Sequence, residues 1–157
     1  RALPEKHLTQ MFFEFGGETH AKKLAQAIIA TRTKHPEKLE TVRGLIDLIA
    51  KALPPRHGHL NPATKAFQAL RIAVNDELTN ITVGLKAVLP WIQPGGKIVA
   101  IAFHEGEDRL VKDWFLDCES QQKGKVLTKK PVTASVEELA QNSRSRSAKL
   151  RVLEKIN

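Results

Sequence analysis

The sequence has little of the material that defines several other classes of protein. Of its 157 residues only Cys118 is a cysteine, which excludes an intramolecular disulfide and a cysteine-based zinc site. The longest unbroken apolar run, Ile98 to Phe103, is much shorter than the roughly 20 residues that a transmembrane helix needs. Because no signal peptide is recognisable either, the sequence predicts a cytoplasmic protein that does not enter a membrane.

Aromatic residues are also scarce, and acidic residues are outnumbered by basic ones. The chain has no tyrosine, two tryptophans and six phenylalanines, which leaves little material for stacking on nucleic acid bases. It has 25 lysines and arginines against 17 aspartates and glutamates, and the net charge of +8 favours a polyanionic partner. A hydrophobic content of 41% is enough for a packed core, so the composition excludes a wholly disordered chain.

The first third of the chain predicts a small helical unit. Apolar residues recur at helical spacing in three segments of residues 1–53. Glycine, threonine and proline mark the predicted helix ends: Gly16–Gly17 after the first, Thr19 and Thr41 as N-caps of the next two, and Pro54–Pro55 after the third. Residues 54–59 have no periodicity and predict a linker.

The middle of the chain predicts an α/β architecture. Asn61 and Pro62 mark the start of a helix whose apolar residues step by three or four as far as Val88, which predicts one continuous buried stripe of about seven turns. The segment Lys97–Phe103 is apolar without alternation, as in a strand that is covered on both faces within a parallel sheet. Another helix is expected at Glu107–Asp108, because acidic residues suit a first turn.

The C-terminal part of the chain carries weaker signals. Val126–Leu127 predicts a short strand, and Leu150 and Val152, which alternate with basic residues, predict a final strand. Ser135 and Glu138 have the spacing of a capping box, so a brief helix is expected between those strands.

Several ordered blocks of the sequence resemble one family. The segment Pro62–Leu78, PATKAFQALRIAVNDEL, resembles the signature P-A-T-(R/K)-x-F-Q-A-L-R-I-x-V-N-x-E-L of the bacterial 16S ribosomal RNA cytosine-N4 methyltransferases. Further blocks are similar to this family in the same order, so the resemblance covers nearly the whole chain. They lie at residues 15–28 upstream, and at 94–97, 103–112, 129–131 and 146–151 downstream.

The resemblance implies a fold and an activity. The implied fold is α/β, the C-terminal part of a Rossmann-like methyltransferase that uses S-adenosylmethionine, together with part of a helical inserted domain. Residues 1–60 would belong to the inserted substrate-binding domain, and residues 61–157 to the C-terminal half of the methyltransferase domain. The implied reaction is N4-methylation of a cytidine in small-subunit ribosomal RNA. A non-catalytic RNA-binding or ribosome-assembly module with the same partial fold is the alternative.

The resemblance also implies what the chain lacks. In the family, the glycine-rich turn and the acidic residue of the methyl-donor site precede the matched segments. We therefore expect no S-adenosylmethionine site in these residues and no activity of the chain alone. The strand at residues 97–103 would also lack its neighbour and expose an apolar edge. Three sources of that neighbour stay open: a longer polypeptide, which we favour, a second chain, and a homodimer.

Candidate active-site residues lie at the end of that strand. His104 follows the strand, and ligands of open α/β sheets bind at the carboxyl ends of strands, so His104 is a candidate to orient a substrate base or a neighbouring backbone group. The alternative is a hydrogen-bonded histidine that supports the site without contacting the substrate. Glu107, Asp108 and Arg109 would surround it as a polar network, although acids also stabilise a helix start by themselves. Where the family has Ser-Leu, this chain has Glu105–Gly106, which adds a negative charge.

Polar residues also recur at helical spacing beside the apolar stripe of the predicted long helix. Gln68 and Arg71 are candidates for RNA contact and Asn75 for the catalytic cleft, with a solvated helix face as the alternative. No metal is expected, because neither the acids around His104 nor the histidines of the linker, His57 and His59, have the spacing of a standard metal site.

Basic residues cluster on either side of the predicted C-terminal helix and are candidates for contacts with RNA phosphates. They are Lys129, Lys130, Arg144, Arg146, Lys149 and Arg151. A solvated surface is the simpler alternative for such a cluster. Cys118 lies on an apolar helix face and is expected to be a core residue rather than a nucleophile.

Overall fold

The computed structural model describes residues 3–54, 61 and 63–157, which divide into two compact units, Arg1–Asp76 and Glu77–Asn157. The first unit contains α1 (Glu5–Glu14), α2 (Ala21–Lys34), a 3-10 turn (Pro36–Leu39), α3 (Val42–Ala52) and α4 (Ala63–Asn75). The second contains α5 (Glu77–Val88), β1 (Lys97–Ala102), α6 (Glu105–Ser120), β2 (Gly124–Val126), α7 (Val136–Gln141) and β3 (Lys149–Lys155), with 3-10 turns at Leu89–Trp91 and Ser143–Ser147. A mixed α/β fold is thereby confirmed.

The division falls later in the chain than the predicted boundary between residues 60 and 61. The assignment of the two predicted parts to an inserted domain and a methyltransferase domain stays a prediction. Residues 55–60, which include most of the predicted linker with His57 and His59, lie outside the described residues, and so does Pro62, the predicted first residue of the next helix.

The first unit confirms the three predicted N-terminal helices. Their apolar stripes meet in one core, in which Phe12 and Ile49 are entirely buried. Gly17 has the positive φ, 58°, that a glycine after a helix provides at no steric cost. Thr41 Oγ1 accepts the Gly44 N–H at 3.1 Å and caps α3 as predicted.

The predicted cap of α2 is wrong. The N-cap position is His20 rather than Thr19, and the main-chain N–H of His20 donates to the buried carboxylate of Glu18 at 3.0 Å. A carboxylate brings a full negative charge to the positive end of the helix dipole, so Glu18 stabilises the start of α2 without a hydrogen bond from Thr19.

The predicted long helix of residues 61–88 is two helices. It starts as expected, since Asn61 Oδ1 accepts the Ala63 N–H at 2.9 Å. The helix is interrupted at Asp76, because its φ of 51° is left-handed and cannot continue a right-handed helix. The apolar stripe is interrupted too, because Val74 is exposed. The residues that α4 buries are Ala63, Ala66, Ala69 and Ile72, and α5 buries none completely.

The second unit is built on an antiparallel sheet with the strand order β1-β3-β2. One face of the sheet packs against α6, where Phe115 and Cys118 share a core with Leu153 of β3. The prediction that β1 is covered on both faces of a parallel sheet is wrong for the described residues, because half-buried residues such as Ile98 alternate with exposed ones such as Val99. An unbroken apolar run is compatible with both arrangements.

The C-terminal predictions are confirmed. β2, α7 and β3 correspond to the short strand, the brief helix and the final strand, and Ser135 Oγ accepts the Glu138 N–H at 3.2 Å. Cys118 is a core residue, and burial raises the pKa of its thiol. Across the part of the chain that the structure describes, no helix combines the length and the apolar character needed to cross a membrane.

Candidate functional site

His104 joins the carboxyl end of β1 to α6 and is the N-cap of that helix. Its Nδ1 atom accepts the main-chain N–H of Glu107 at 3.3 Å, and the Glu107 carboxylate accepts the N–H of His104 at 3.2 Å. The same carboxylate oxygen accepts the N–H of Phe103 at 2.8 Å. This reciprocal capping box fixes both side chains at the strand end. Histidine is not a usual N-cap, so the only sequence signal was a glutamate three residues later.

The cap determines where the His104 ring carries its proton. Because Nδ1 is an acceptor, the neutral ring is protonated at Nε2. That atom is buried and lies 3.3 Å from Oε1 of Glu107, but it is not aligned for a hydrogen bond with any group among the described residues. Buried donors are nearly always hydrogen-bonded, so this atom is an exception. Because Nε2 has almost no exposed surface, an acceptor atom of a ligand reaches it only when a neighbouring side chain moves.

Glu77, the first residue of α5, completes a cluster with His104 and Glu107. Their potential ligand atoms lie within 4.8 Å of one another, and one imidazole with two carboxylates is a set that can bind a divalent cation. A cation bound at Nε2 would require the ring proton to move to Nδ1. Two N–H donors, that of Nδ1 and that of the Glu107 main chain, would then face each other, and the capping hydrogen bond would be lost. The cluster therefore suits hydrogen bonding to a ligand better than it suits a metal ion.

Asp108 has a different environment, because it ties α6 to β3. The Nε and Nη2 atoms of Arg151 donate to its two carboxylate oxygens at 2.6 and 3.1 Å. Lys149 Nζ lies 3.3 Å from the same carboxylate. The hydrogen bond from Arg151 is the main cause that holds the pKa of Asp108 below its ordinary value. The predicted polar network around His104 is thus divided, with Glu107 at the histidine and Asp108 at the sheet.

Two of the predicted RNA-contacting cations are engaged in this network. Arg151 is only 6% exposed. Lys149 Nζ also donates to Glu105 at 2.7 Å, which raises the pKa of the lysine. Glu105 is the residue that departs from the family pattern, and here it neutralises a neighbouring cation. Arg151 is thus buried and Lys149 is held by two carboxylates, whereas Arg109 is exposed. A contact of Arg151 and Lys149 with RNA stays a prediction.

The other four predicted RNA-contacting residues are exposed. Lys129 and Lys130 follow β2, and Arg144 and Arg146 lie in the 3-10 turn before β3. Within the described ranges, none of the four has an ion-pair partner. Their charges are therefore not neutralised by neighbouring carboxylates.

The sheet register brings these cations and His104 to the same end of the second unit. Ala102, the last residue of β1, lies opposite Lys149, the first residue of β3. Val132, which follows the two loop lysines, bridges to Leu150. The carboxyl end of β1, the basic loop and the start of β3 are consequently neighbours, although they are far apart in the sequence.

The remaining candidates lie on α4 in the first unit. Gln68 Nε2 donates to the carbonyl of Phe15 at 3.4 Å, so this side chain contacts the turn after α1. The helix approaches that turn closely, since a Cβ atom at Gly16 would lie 2.5 Å from a main-chain oxygen. Arg71 and Asn75 are exposed, and each has an interaction of its own. The contact of Gln68 and Arg71 with RNA and the position of Asn75 at the catalytic cleft stay predictions.

The strand end at His104 does not fit the S-adenosylmethionine site that the resemblance describes. β1 leads directly into α6 at His104, without the glycine-rich turn that the resemblance requires at a donor site. A cavity of about 610 Å³ in the second unit lies beside the C-terminal end of α6, lined by Lys86 and Lys123 among others. A cavity of about 510 Å³ in the first unit, lined by Ala27 and Leu48 among others, lies between helices. The cavity in the second unit also contacts Lys155, the last residue of β3, but His104 lines neither of the two cavities.

Comparison with known proteins confirms the resemblance. A sequence model of the MraW methylase family matches residues 1–156. The protein named ribosomal RNA small subunit methyltransferase H from Hydrogenobaculum sp. (strain Y04AAS1) is 45% identical over 94% of this chain and 48% of its own length. Proteins of the same name from Coprothermobacter proteolyticus and Pelobacter propionicus are 44% and 43% identical, each over 98% of this chain and over 50% and 54% of their own lengths. The chain thus spans about half the length of these curated relatives.

Proposed function

Because the chain belongs to the MraW methylase family, we propose that it forms part of an enzyme that methylates N4 of a cytidine in small-subunit ribosomal RNA. The observation that carries this proposal is the identity of 43–45%, across nearly the whole chain, to proteins named ribosomal RNA small subunit methyltransferase H. In such a reaction S-adenosylmethionine supplies an activated methyl group. The residues described above would bind and orient the RNA.

In this proposal His104 orients the target base. A cytosine presents acceptor atoms beside its exocyclic amine, and enzymes that act on a base read its edge with hydrogen bonds inside a pocket. The buried Nε2–H of His104 lacks an aligned acceptor among the described residues, and its ring is held by the cap to Glu107. The ring orientation is therefore fixed before a ligand arrives, and in this proposal a neighbouring side chain moves to expose the Nε2–H donor to the base.

The substitution His104→Asn separates this role from capping. Asparagine is a good N-cap, so the free energy of unfolding of the variant, measured by denaturant titration, should equal that of the parent to within about 0.5 kcal/mol. Methyl transfer by the complete enzyme should fall by at least about 10-fold, since the Nε2–H donor is lost. The matched control is Ser135→Asn, which exchanges the N-cap of α7 in the same unit and should leave transfer unchanged. Full activity of His104→Asn would show that the histidine only caps the helix.

The exposed cations of the basic loop and the following turn would contact RNA phosphates. Removing Lys129, Lys130, Arg144 and Arg146 together by alanine substitution should weaken RNA binding and flatten its salt dependence by about 0.7–0.9 logarithmic units per lost contact. Alanine substitution of four exposed lysines of the same unit that lie outside this loop and turn, Lys86, Lys97, Lys112 and Lys123, is the control with equal loss of charge. If both variants bind RNA with the same affinity and salt slope, the net charge of the protein decides binding, and the assignment to this surface is wrong.

The methyl donor would bind residues outside this chain. Calorimetry of the 157-residue chain with S-adenosylmethionine should give no heat of binding at micromolar concentrations, since the strand end at His104 does not fit the donor site that the resemblance describes. Methyl transfer to small-subunit ribosomal RNA should appear only when the rest of the polypeptide is supplied. RNA binding without any transfer in that reconstituted sample would identify a non-catalytic module instead.

A further inference from the structure

Glu77 adds a hydrogen-bond acceptor beside the buried donor of His104. It is the first residue of α5 and is half-buried, and the left-handed backbone of Asp76 immediately before it sets the point at which this helix begins. One carboxylate oxygen of Glu77 lies within 4.8 Å of a ring nitrogen of His104 and of a carboxylate oxygen of Glu107. The start of α5 therefore brings an acceptor next to the donor at the end of β1.

The two carboxylates of this cluster have different surroundings. One oxygen of Glu107 accepts the main-chain N–H groups of Phe103 and His104 at 2.8 and 3.2 Å, so the capping box fixes this side chain. Glu77 lies on another helix and takes no part in that box. It has an interaction of its own, but the two oxygens of a carboxylate offer about four acceptor positions, so acceptor capacity remains for a ligand. Of the two acids, Glu77 is the better placed to contact a bound molecule.

The His104 ring lies close against the first turn of α6. A Cβ atom at Gly106 would lie 3.2 Å from Nδ1 and 3.3 Å from Cε1 of the ring, closer than Cβ atoms usually approach other atoms, and 3.8 Å from Cδ2 of Leu78. The glycine thus permits this ring position, and Leu78 of α5 lies beside it. An apolar side chain can change rotamer without breaking a hydrogen bond, so Leu78 is a side chain that can move when a base reaches Nε2.

A neighbouring donor and acceptor match the edge of a cytosine. Cytosine carries an amino donor at N4 beside an acceptor at N3, whereas uracil carries an acceptor at O4 beside an N–H donor at N3. Enzymes that act on a single base read these atoms with hydrogen bonds inside a pocket. The Nε2–H of His104 supplies the donor and Glu77 the acceptor, so the pair has the polarity that cytosine requires.

We propose that Glu77 selects cytosine at this site, with its carboxylate accepting a hydrogen bond from the N4 amino group while Nε2–H of His104 donates to N3. Uracil would place O4 against the carboxylate and its N3–H against the Nε2–H. Both pairs would then be two acceptors or two donors, and a site that hydrogen-bonds its substrate rejects such an analogue because buried polar groups stay unsatisfied. The inference deepens the proposed function and rests on it, because that function supplies a cytidine as the target.

Binding of two mononucleotides to the complete enzyme tests this selection. With isotope-labelled histidine rings followed by NMR, cytidine monophosphate should shift the His104 ring resonance and bind at least about 10-fold more tightly than uridine monophosphate. Glu77→Gln should bring the two affinities to within about twofold, because the amide can turn its N–H₂ group toward O4 of uracil. Equal affinities in the parent, or an unchanged ratio in Glu77→Gln, would overturn the inference.

A matched control separates base selection from the ordinary effect of an acid at a helix start. Glu77 lies in the first turn of α5, where a negative charge stabilises the helix by itself. Glu137→Gln removes the same charge from the first turn of α7 in the same unit and should leave the ratio of the two affinities unchanged. A fall of that ratio in Glu137→Gln as large as in Glu77→Gln would assign the effect to the net charge of the unit.

Glu77→Asp provides a second variant if Glu77→Gln does not fold. Aspartate keeps the negative charge at the start of α5 but draws its oxygens back by one methylene group, so the midpoint of urea unfolding should stay the same. The affinity for cytidine monophosphate should fall by at least about fivefold, since the N4 amino group loses its acceptor. An undiminished affinity would overturn the inference.

Methyl transfer to small-subunit ribosomal RNA distinguishes this inference from the proposed function. A complete enzyme that prefers cytidine monophosphate but transfers no methyl group to that RNA would support the base site and contradict the proposed function. An enzyme that methylates a cytidine of the RNA but binds the two mononucleotides equally would overturn the inference and leave the proposed function intact. The binding and transfer measurements therefore fail independently of each other.

Discussion

The two units bury their apolar residues in different ways. In the first unit the stripes of the helices meet in one core, in which Phe12, Leu24 and Ile49 have no exposed surface. In the second unit one face of the sheet packs around Phe115, while the other face remains largely exposed. The difference teaches that an apolar pattern predicts a need for burial, but the pattern does not say whether the covering element belongs to the same chain.

Two phenylalanines test this comparison with the largest expected effect. Phe12→Ala in the first core should lower the free energy of unfolding by about 3–5 kcal/mol, because a cavity replaces a fully buried ring. Phe103→Ala, whose ring is 56% exposed after β1, should cost less than about 1 kcal/mol. Urea unfolding followed by circular dichroism measures both. A loss of similar size in the two variants would show that the second unit is already covered at this face.

The buried ion pair of the second unit should have the next largest effect. Asp108→Ala leaves the Arg151 guanidinium buried without its partner, so the second unit should lose about 3 kcal/mol. Glu105→Ala removes an exposed partner of Lys149 and should cost less than about 0.5 kcal/mol. Tryptophan fluorescence reports on this unit, which contains both tryptophans, Trp91 and Trp114.

A double substitution distinguishes a lost pair from lost packing. Asp108→Leu combined with Arg151→Met removes both charges and keeps apolar volume, so it should restore most of the stability that Asp108→Ala loses. If the double variant is as unstable as the single one, the cost comes from geometry that only the ion pair provides. In that case the second unit depends on a polar contact as strongly as the first depends on its apolar core.

Local signals explain which parts of this comparison the sequence could predict. The helices of the first unit were predictable because apolar spacing and stop residues such as Gly17 and Pro54 lie within a few residues of the structure that they determine. The break at Asp76 was missed because apolar spacing continues through it, although asparagine and aspartate are the residues that tolerate a left-handed backbone. Asn75–Asp76 is therefore a local signal for a helix end, but the apolar periodicity on either side of it favours a continuous helix.

The candidate site was less predictable, because it depends on contacts between distant parts of the chain. The position of His104 after a strand followed from local patterns, and its cap to Glu107 spans only three residues. The pairing of Asp108 with Arg151 spans 43 residues, and no local pattern indicates which of several acids takes that partner. The sequence therefore groups six cations as one RNA-contacting set, and only the structure shows that Lys149 and Arg151 are held by carboxylates of α6.

The pH dependence of stability sharpens the comparison further. Because the folded-state pKa of Asp108 lies below its ordinary value, the contribution of this group is fully present above the unfolded pKa of about 3.9. It is lost as the pH falls through the lower, folded-state pKa. The stability difference between the parent and Asp108→Asn should be constant from pH 7 to about pH 5 and shrink below about pH 4. Fluorescence-detected unfolding measures it, and a difference that grows in acid would contradict the assigned direction of the shift.

Helix caps give the smallest effect and test whether local chemistry works alike in both units. Thr41→Ala should destabilise the first unit by about 1 kcal/mol, because the Gly44 N–H loses its acceptor at the start of α3. Thr19→Ala should change stability by less than about 0.5 kcal/mol, since Glu18 rather than Thr19 holds the start of α2. His104→Ala in the second unit should cost about as much as Thr41→Ala, because its ring accepts an equivalent N–H. Urea titration by circular dichroism ranks the three variants. If Thr19→Ala destabilises the protein as much as Thr41→Ala does, Thr19 rather than Glu18 caps α2. If His104→Ala leaves the free energy of unfolding unchanged, the histidine does not stabilise the fold and ligand binding is its remaining role.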